Sequence, residues 1–259
     1  RQHSRIRRMT SLSDKSAIVT GGASGLGAAV ATHLASLGAK VCLFDMNADA
    51  AVATAAKIGA TWQQVDVSNA QSVAEGFEKA RAVQGQESIL VNCAGIGPAS
   101  KTVSRGAPHD PALFAKVIGV NLLGSFYCAS YAAAGMVAAD PSAPDGERGV
   151  IINTASVAAY EGQVGQVAYA ASKGGIVGMT LPMARDLADK GVRVATIAPG
   201  LFRTPLLEGL PQEVQDSLGA QVPFPSRLGD PKEFAALVAH IVENRMLNGE
   251  VIRLDGAIR

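Results

Sequence analysis

Short β-branched runs alternate along this chain with alanine-rich stretches of helical length, which is the rhythm of successive βαβ units. The runs are Ala17–Thr20, Lys40–Asp45, Thr61–Val65, Ser88–Asn92, Gly149–Thr154, Arg193–Ala198 and Glu250–Leu254, with helices filling most intervals. Right-handed crossovers between such strands predict an α/β fold: one domain, a doubly wound parallel sheet of about seven strands with helices on both faces. The ligand crevice then lies at the carboxyl ends of the strands.

Three segments break the rhythm with Gly, Pro and polar residues: Gly97–Pro111, Ala139–Arg148 and Leu201–Pro225. They are expected to be surface loops. The last is long for a passive link, so a substrate lid is expected around 201–225. The opening RQHSRIRRMT is arginine-rich and free of acids, and residues 1–10 are expected to form a flexible basic tail ahead of one catalytic domain at 11–259.

Composition narrows the function classes. Of 259 residues, 48% are hydrophobic and 17% charged, enough apolar material for a covered sheet. A net charge of +1 gives no global field to attract a polyanion, so nucleic acid is not an expected partner. Cys42, Cys93 and Cys128 form no CxxC and suit a reducing cell interior. The four histidines, His3, His33, His109 and His240, lack metal-ligand spacing, so no metal is expected. No uninterrupted apolar run reaches the roughly 18 residues a membrane span needs.

Candidate chemistry sits at the strand ends. The string TGGASGLG, Thr20 to Gly27, directly follows the first strand and opens a helix. Glycines Gly21, Gly25 and Gly27 let the backbone approach a pyrophosphate at the helix amino end, with Ser24 and Leu26 offering hydroxyl or backbone contacts. This is a Rossmann-type dinucleotide signature. Eighteen residues beyond Gly27, VCLFD places the Asp45 carboxylate where an adenosine ribose lies. Its charge repels a 2′-phosphate and no nearby Lys or Arg in TGGASGLG or MNADA offsets it, so NAD is expected over NADP; the alternative is a helix cap. Asp66 and Val67 end the third strand, where a carboxylate meets an adenine amino group or simply makes a turn. NCAG closes the fourth with the small residues Cys93, Ala94 and Gly95, Cys93 reading as packing rather than as a reactive thiol.

Tyr169 and Lys173, four apart in YAASKGG, project from one helix face. Hydride transfer between an alcohol and a ketone needs a group that takes or gives a proton. A tyrosine is a poor base, but a lysine cation about 4 Å away at an effective dielectric of roughly 20 contributes about 4 kcal/mol, roughly three pKa units, against which desolvation works. Ser156 ends the strand GVIINTAS thirteen residues earlier, at the same crevice edge, where its hydroxyl can hold a substrate oxygen. Asn121, in VIGVNLLG, is polar within an apolar face; it either holds a water for proton relay or bridges the backbone at a helix kink.

Together TGGASGLG, NCAG, Asn121, Ser156, YAASK and the PG of TIAPG resemble the short-chain dehydrogenase/reductase family, over nearly the whole chain after Ser11. Within it, INTASVAAYEGQVGQVAYAASKGGIVGMTLPMARDLA, TIAPGLFRTPLL, QVPFPSRLGDP and LNGEVIRLDGAIR resemble the type-2 3-hydroxyacyl-CoA dehydrogenase group, which includes 3-hydroxy-2-methylbutyryl-CoA and multifunctional 17-beta-hydroxysteroid dehydrogenases. The resemblance implies a homotetrameric, NAD-linked enzyme acting on short or branched 3-hydroxyacyl-CoA thioesters in fatty acid and branched-chain amino acid degradation. It implies that Ser156 orients substrate, Tyr169 is the acid/base, Lys173 lowers that pKa and binds the nicotinamide ribose, and Asn121 completes a relay. Ser24, Leu26, Asp45, Asp66, Val67, Cys93, Pro199, Phe202 and Thr204 then lie against NAD, and Gln163 near the substrate. A 3-oxoacyl carrier-protein reductase, a hydroxysteroid dehydrogenase and a non-catalytic NAD-binding scaffold are the rival readings. Arg203 stands where the group has a small residue, and Gly97–Pro111 matches it less well. Phe202, Leu206, Leu207 and Phe224 either line an apolar pocket or pack the lid. The alanine-rich composition suits a bacterial cytoplasm; a eukaryotic homologue belongs in the mitochondrial matrix.

Overall fold

The computed structural model describes residues 12–13, 15–143 and 145–259, and the basic opening at 1–10 lies outside them. In chain order come β1 (Ser16–Thr20), α1 (Gly25–Ser36), β2 (Lys40–Asp45), α2 (Ala48–Ile58), β3 (Thr61–Gln64), α3 (Ala70–Gln84) and β4 (Ile89–Asn92). Then follow a small hairpin, β5 (Val103–Ser104) and β6 (Ala107–Pro108), α4 (Pro111–Ile118), α5 (Gly124–Ala138), β7 (Gly149–Thr154) and α6 (Val167–Leu187). The chain continues through β8 (Val192–Pro199), α7 (Pro205–Glu208), α8 (Gln212–Ala220), α9 (Pro231–Glu243) and β9 (Val251–Leu254). Seven strands pair in parallel in the order β3-β2-β1-β4-β7-β8-β9. The order reverses between β1 and β4, which is where a doubly wound sheet opens its crevice.

Strand periodicity divides the core. Ala17 and Val19 face one side with α1 and α9, where Val30, Leu34, Phe234 and Val238 are buried. Ile18 faces the other side with α3 and α5, among Phe77, Cys128 and Met136. Each fully buried side chain of this size contributes about 1.5–3 kcal/mol. Helix α1 carries this load while presenting its amino end to the rim.

Two expected loops hold more order than their Gly and Pro content suggested. Leu201–Pro225 contains α7, begun by Pro205 at the first helical position, and α8. Gly97–Pro111 folds back as the hairpin β5–β6, with Arg105 and Gly106 at positive φ in its turn. Helix α4 also runs on through a π-helical turn, Gly119–Leu123, into α5. The joined helix Pro111–Ala138 is apolar and long enough to cross a membrane, which the residue-run reading missed. Here its residues Val117, Cys128, Ala129, Ala132 and Met136 are buried in the protein.

Candidate active site

The glycine string is fixed by contacts that leave no room for a side chain. A Cβ on Gly21 would lie 2.8 Å from the main chain of Ala94, and one on Gly27 would run into the carbonyl oxygen of Gly21. Gly21 and Gly25 also hold positive φ, a backbone state open to glycine at little cost. Thr20 locks the two strand ends together: its Oγ1 accepts from Cys93 N at 3.1 Å and from Ala94 N at 3.2 Å. Ser24 precedes α1, is exposed, and its side chain makes no cap hydrogen bond. Pro205 at the start of α7 rests 3.5 Å from the position of a Gly25 Cβ, so the first residues of the 201–225 segment lie over this cradle.

Asp45 ends β2, but it is not the cap of α2; Asn47 is. Instead its Oδ2 accepts from Ala23 N at 3.0 Å and its Oδ1 from Asn47 N at 2.9 Å, fixing a carboxylate beside the glycine string. Asp66 does make a turn, its Oδ1 accepting from both the amide and the hydroxyl of Ser68, while Val67 is buried against Gly124. The other Asp66 oxygen, Oδ2, has no hydrogen bond of its own among these contacts. A bent cradle of small residues, a helix amino end and a carboxylate 18 positions on fit a dinucleotide.

On the far side of the switch point stand the chemical residues. Ser156 follows β7, is buried, and its Oγ accepts from Ala158 N at 3.1 Å. The Ser156 hydroxyl lies near enough to the Tyr169 phenol to ease its ionisation. Lys173, one turn along α6, donates from Nζ to the carbonyl oxygen of Thr154 at 2.7 Å and lies 5.6 Å from the Tyr169 ring centroid. Gly97 packs against the same ring and Gly95 against Lys173 and Asn121.

The protein's own groups set the phenol differently from the sequence expectation. Burial pushes the Tyr169 pKa up, and the Ser156 hydrogen bond only partly opposes it. Burial pulls Lys173 down to about 8 from 10.5. With its ammonium turned to the Thr154 carbonyl and 5.6 Å from the ring centroid, the lysine does not outweigh desolvation of the phenol. Cys93 behaves as packing: burial pushes its thiol up to about 11, and Thr154 Oγ1 lies 3.7 Å from its sulfur.

Asn121 sits fully buried in the π-helical turn. Its Oδ1 accepts from Ile96 N and its Nδ2 donates to Ile96 O, both at 2.8 Å, and Nδ2 also reaches Ser172 Oγ at 3.0 Å. Its own carbonyl accepts from Ser125 Oγ at 2.7 Å. Of the two sequence readings, the geometry has the backbone bridge: the side chain ties the segment after β4 to α6, and π-turns often mark such sites.

Phe202 was expected against the cofactor, yet its ring is buried in the core, edge-on to Phe234 at 6.3 Å. Phe224 is largely exposed, so it does not line a closed apolar pocket. Pro199 ends β8 opposite Leu254, Leu26 is partly buried, and Gln163 is exposed beside a groove of about 460 Å³ lined by Ser100, Lys101, Gln166 and Val167 among others. Arg203 pairs with Asp230 at 3.7 Å, an exposed ion pair at the base of the lid. Sequence reasoning passed over Thr20, Ser172 and the Thr154 carbonyl. Thr20 heads the glycine string and Thr154 stands two before Ser156, so position pointed to both; the roles come from partners distant in sequence. Among the described residues no cluster of three or more His, Cys, Asp or Glu is placed to hold a metal.

A family model described as short chain dehydrogenase matches residues 15–215. The chain is 54% identical over 247 residues to the 3-hydroxyacyl-CoA dehydrogenase type-2 of Homo sapiens, covering 94% of each, and equally identical, with the same coverage, to that of Bos taurus. A crystal structure of 3-hydroxyacyl-CoA dehydrogenase type-2 from Mycobacterium avium superposes with a TM-score of 0.89 at 41% identity, covering 98% of each chain. Fold, rim geometry and these likenesses agree that this chain belongs to the short-chain dehydrogenase family and is an oxidoreductase acting on CH–OH groups.

Proposed function

We propose that the chain is an NAD-linked dehydrogenase interconverting short or branched 3-hydroxyacyl-CoA and 3-oxoacyl-CoA thioesters. The reading rests on one observation above all: the Tyr169 phenol, the Ser156 hydroxyl and the Lys173 ammonium share one rim beside the glycine cradle. The names of the relatives supply the substrate class.

Bound NAD⁺ supplies the hydride acceptor. Gly21, Gly25, Gly27 and the amino end of α1 cradle its pyrophosphate, and Asp45 accepts from its adenosine ribose. The fixed carboxylate disfavours a 2′-phosphate, hence NAD over NADP. Ser156 holds the substrate hydroxyl oxygen, and Tyr169 Oη, ionised once a cationic nicotinamide beside it would offset its burial, takes the hydroxyl proton as the C3 hydride departs. A lysine has three ammonium protons, and Thr154 occupies one; the others would serve the nicotinamide ribose, and the Lys173 charge acts on the phenol from a distance. Tyr169 passes its proton on to solvent, and in the reverse direction returns it to the forming alcohol.

Leu123 of the π-helical turn, Phe126 of α5 and Leu181 of α6 are exposed apolar residues, which suits the homotetramer that the resemblance implies. The cysteines are free thiols, which suits a reducing compartment such as a bacterial cytoplasm.

Initial rates over 3-hydroxyacyl-CoA thioesters of graded length and branching, with NAD⁺ and with NADP⁺, test the proposal. The expected preference for NAD⁺ is about a hundredfold, equivalent to about 2.7 kcal/mol. Turnover of a carrier-protein thioester with NADPH in preference to any CoA thioester with NADH overturns it.

A further inference from the structure

The connection between Ser156 and Tyr169 forms one wall of the substrate end, yet most of its hydrogen bonds are local. Tyr160 N and Glu161 N both donate to Val157 O at 2.9 Å, and Gln163 N donates to Gln166 Oε1. The hydrogen bonds that leave it run to α6, where Ala170 N donates to Gln166 O, to Ser100, whose N donates to Gly165 O, and to Arg253, which grips its centre. Arg253 donates from Nη1 and Nη2 to the two oxygens of Glu161 at 2.8 and 2.9 Å, and its guanidinium carbon lies 5.1 Å from the centroid of the Tyr160 ring. A bidentate charge-assisted pair fixes orientation as well as distance.

The other end of that guanidinium is fixed to the turn after β9. Arg253 Nε donates to Asp255 Oδ2 at 2.8 Å and Nη2 to Ile258 O at 3.0 Å, while Arg259 takes the same Asp255 oxygen at 2.6 Å. Asp255 in turn backs onto the Pro199–Gly200 turn so closely that a Cβ on Gly200 would lie 2.8 Å from its own Cβ. Gly256 packs under Val222 and accepts from Phe224 N at 3.2 Å, at the far end of the lid. One arginine therefore links the wall that carries Gln163, the turn that closes β8, and the foot of the lid.

We propose that Arg253 is a positioning residue for the acyl thioester, fixing through Glu161 and Tyr160 the 157–166 wall of the groove that residues 100–103 line on the other side. The inference rests on the proposed function for the identity of the substrate, but not for the mechanics of the wall. It assigns Arg253 no contact with reacting atoms. Its effect belongs to binding of the thioester and not to the cradle across the switch point.

Glu161→Gln breaks the outer arm while leaving Arg253 on Asp255, so it avoids the orphaned Glu161 carboxylate that Arg253→Met would create. In the full-length enzyme, Glu161→Gln is expected to raise KM for the 3-hydroxyacyl-CoA about tenfold, with kcat and KM for NAD⁺ within about twofold. Amide hydrogen exchange supplies a readout independent of turnover: residues 157–166 should exchange at least about tenfold faster in Glu161→Gln, with β1 and α1 unchanged. Unchanged exchange in 157–166 overturns the inference whatever the substrate proves to be, as does an equal rise in both KM values. If the wild type oxidises no CoA thioester, the proposed function fails, and exchange alone decides the positioning role.

Discussion

The two sides of the crevice are built by different means. On the cofactor side, main chain meets main chain: Gly21 lies against Ala94, Gly27 against Gly21, and Asp45 is held by two backbone amides. On the substrate side, side chains do the holding: Lys173 on the Thr154 carbonyl, Arg253 on Glu161 and Asp255, and the Phe202 ring in the core. A cradle with no space for a Cβ tolerates almost no change, whereas walls tied by a few ion pairs can drift in width. The cradle is thereby fixed by main-chain packing, whereas the wall that carries Ser156, Tyr169 and Lys173 is held by side-chain contacts.

The sharpest way to break this comparison is Gly27→Ala. Its methyl group has only backbone to push against, so dinucleotide binding should vanish and stability fall by roughly 3 kcal/mol or more, read by titration and thermal melting. Near-normal binding would show that the cradle yields. Next comes Asp45→Ser, which keeps a small acceptor but removes the charge; the preference for NAD⁺ should shrink from about a hundredfold to under about tenfold in paired kinetic assays.

Lys173→Met probes the other side through stability. The folded pKa is lowered to about 8 against 10.5, so the buried cation costs stability at neutral pH, and that cost fades as pH rises from about 8 through 10.5. Removing the charge should therefore raise the melting temperature at pH 7 while activity is lost. The gain, at most about 3 kcal/mol and reduced by the orphaned Thr154 carbonyl, should disappear by about pH 10.5. A gain that does not depend on pH would contradict the burial argument.

The smallest effect belongs to Glu233, at the amino end of α9. Arg227 and the Asp230 amide hold its carboxyl at about 2, below the usual 4.5, and the pair is exposed. Its contribution is present above about pH 4.5 and is lost as pH falls toward 2. Screening limits Glu233→Gln to about 1 kcal/mol in urea melts at neutral pH, with the difference from wild type closing on acidification.

Much of this molecule was legible in its residues because buried parallel strands are short β-branched runs, and seven such runs became the seven strands. The cofactor side was equally legible, since a glycine string after a strand and a carboxylate ending the next are local features. What stayed hidden depends on distant partners. Phe202 reads the same whether its ring enters the crevice or packs on Phe234, and Asn121 reads the same with a water or with Ile96. The direction of the Tyr169 pKa turned on where Lys173 points, which is set by a carbonyl on another strand. Helices α7 and α8 were masked by the Gly and Pro around them.

Tyr169→Phe removes one oxygen from the rim and leaves the cradle as it is. Steady-state oxidation of a 3-hydroxyacyl-CoA by this variant, measured beside its affinity for NAD⁺, should show turnover down by about a thousandfold with cofactor binding within about twofold. Turnover near that of the wild type would contradict the account.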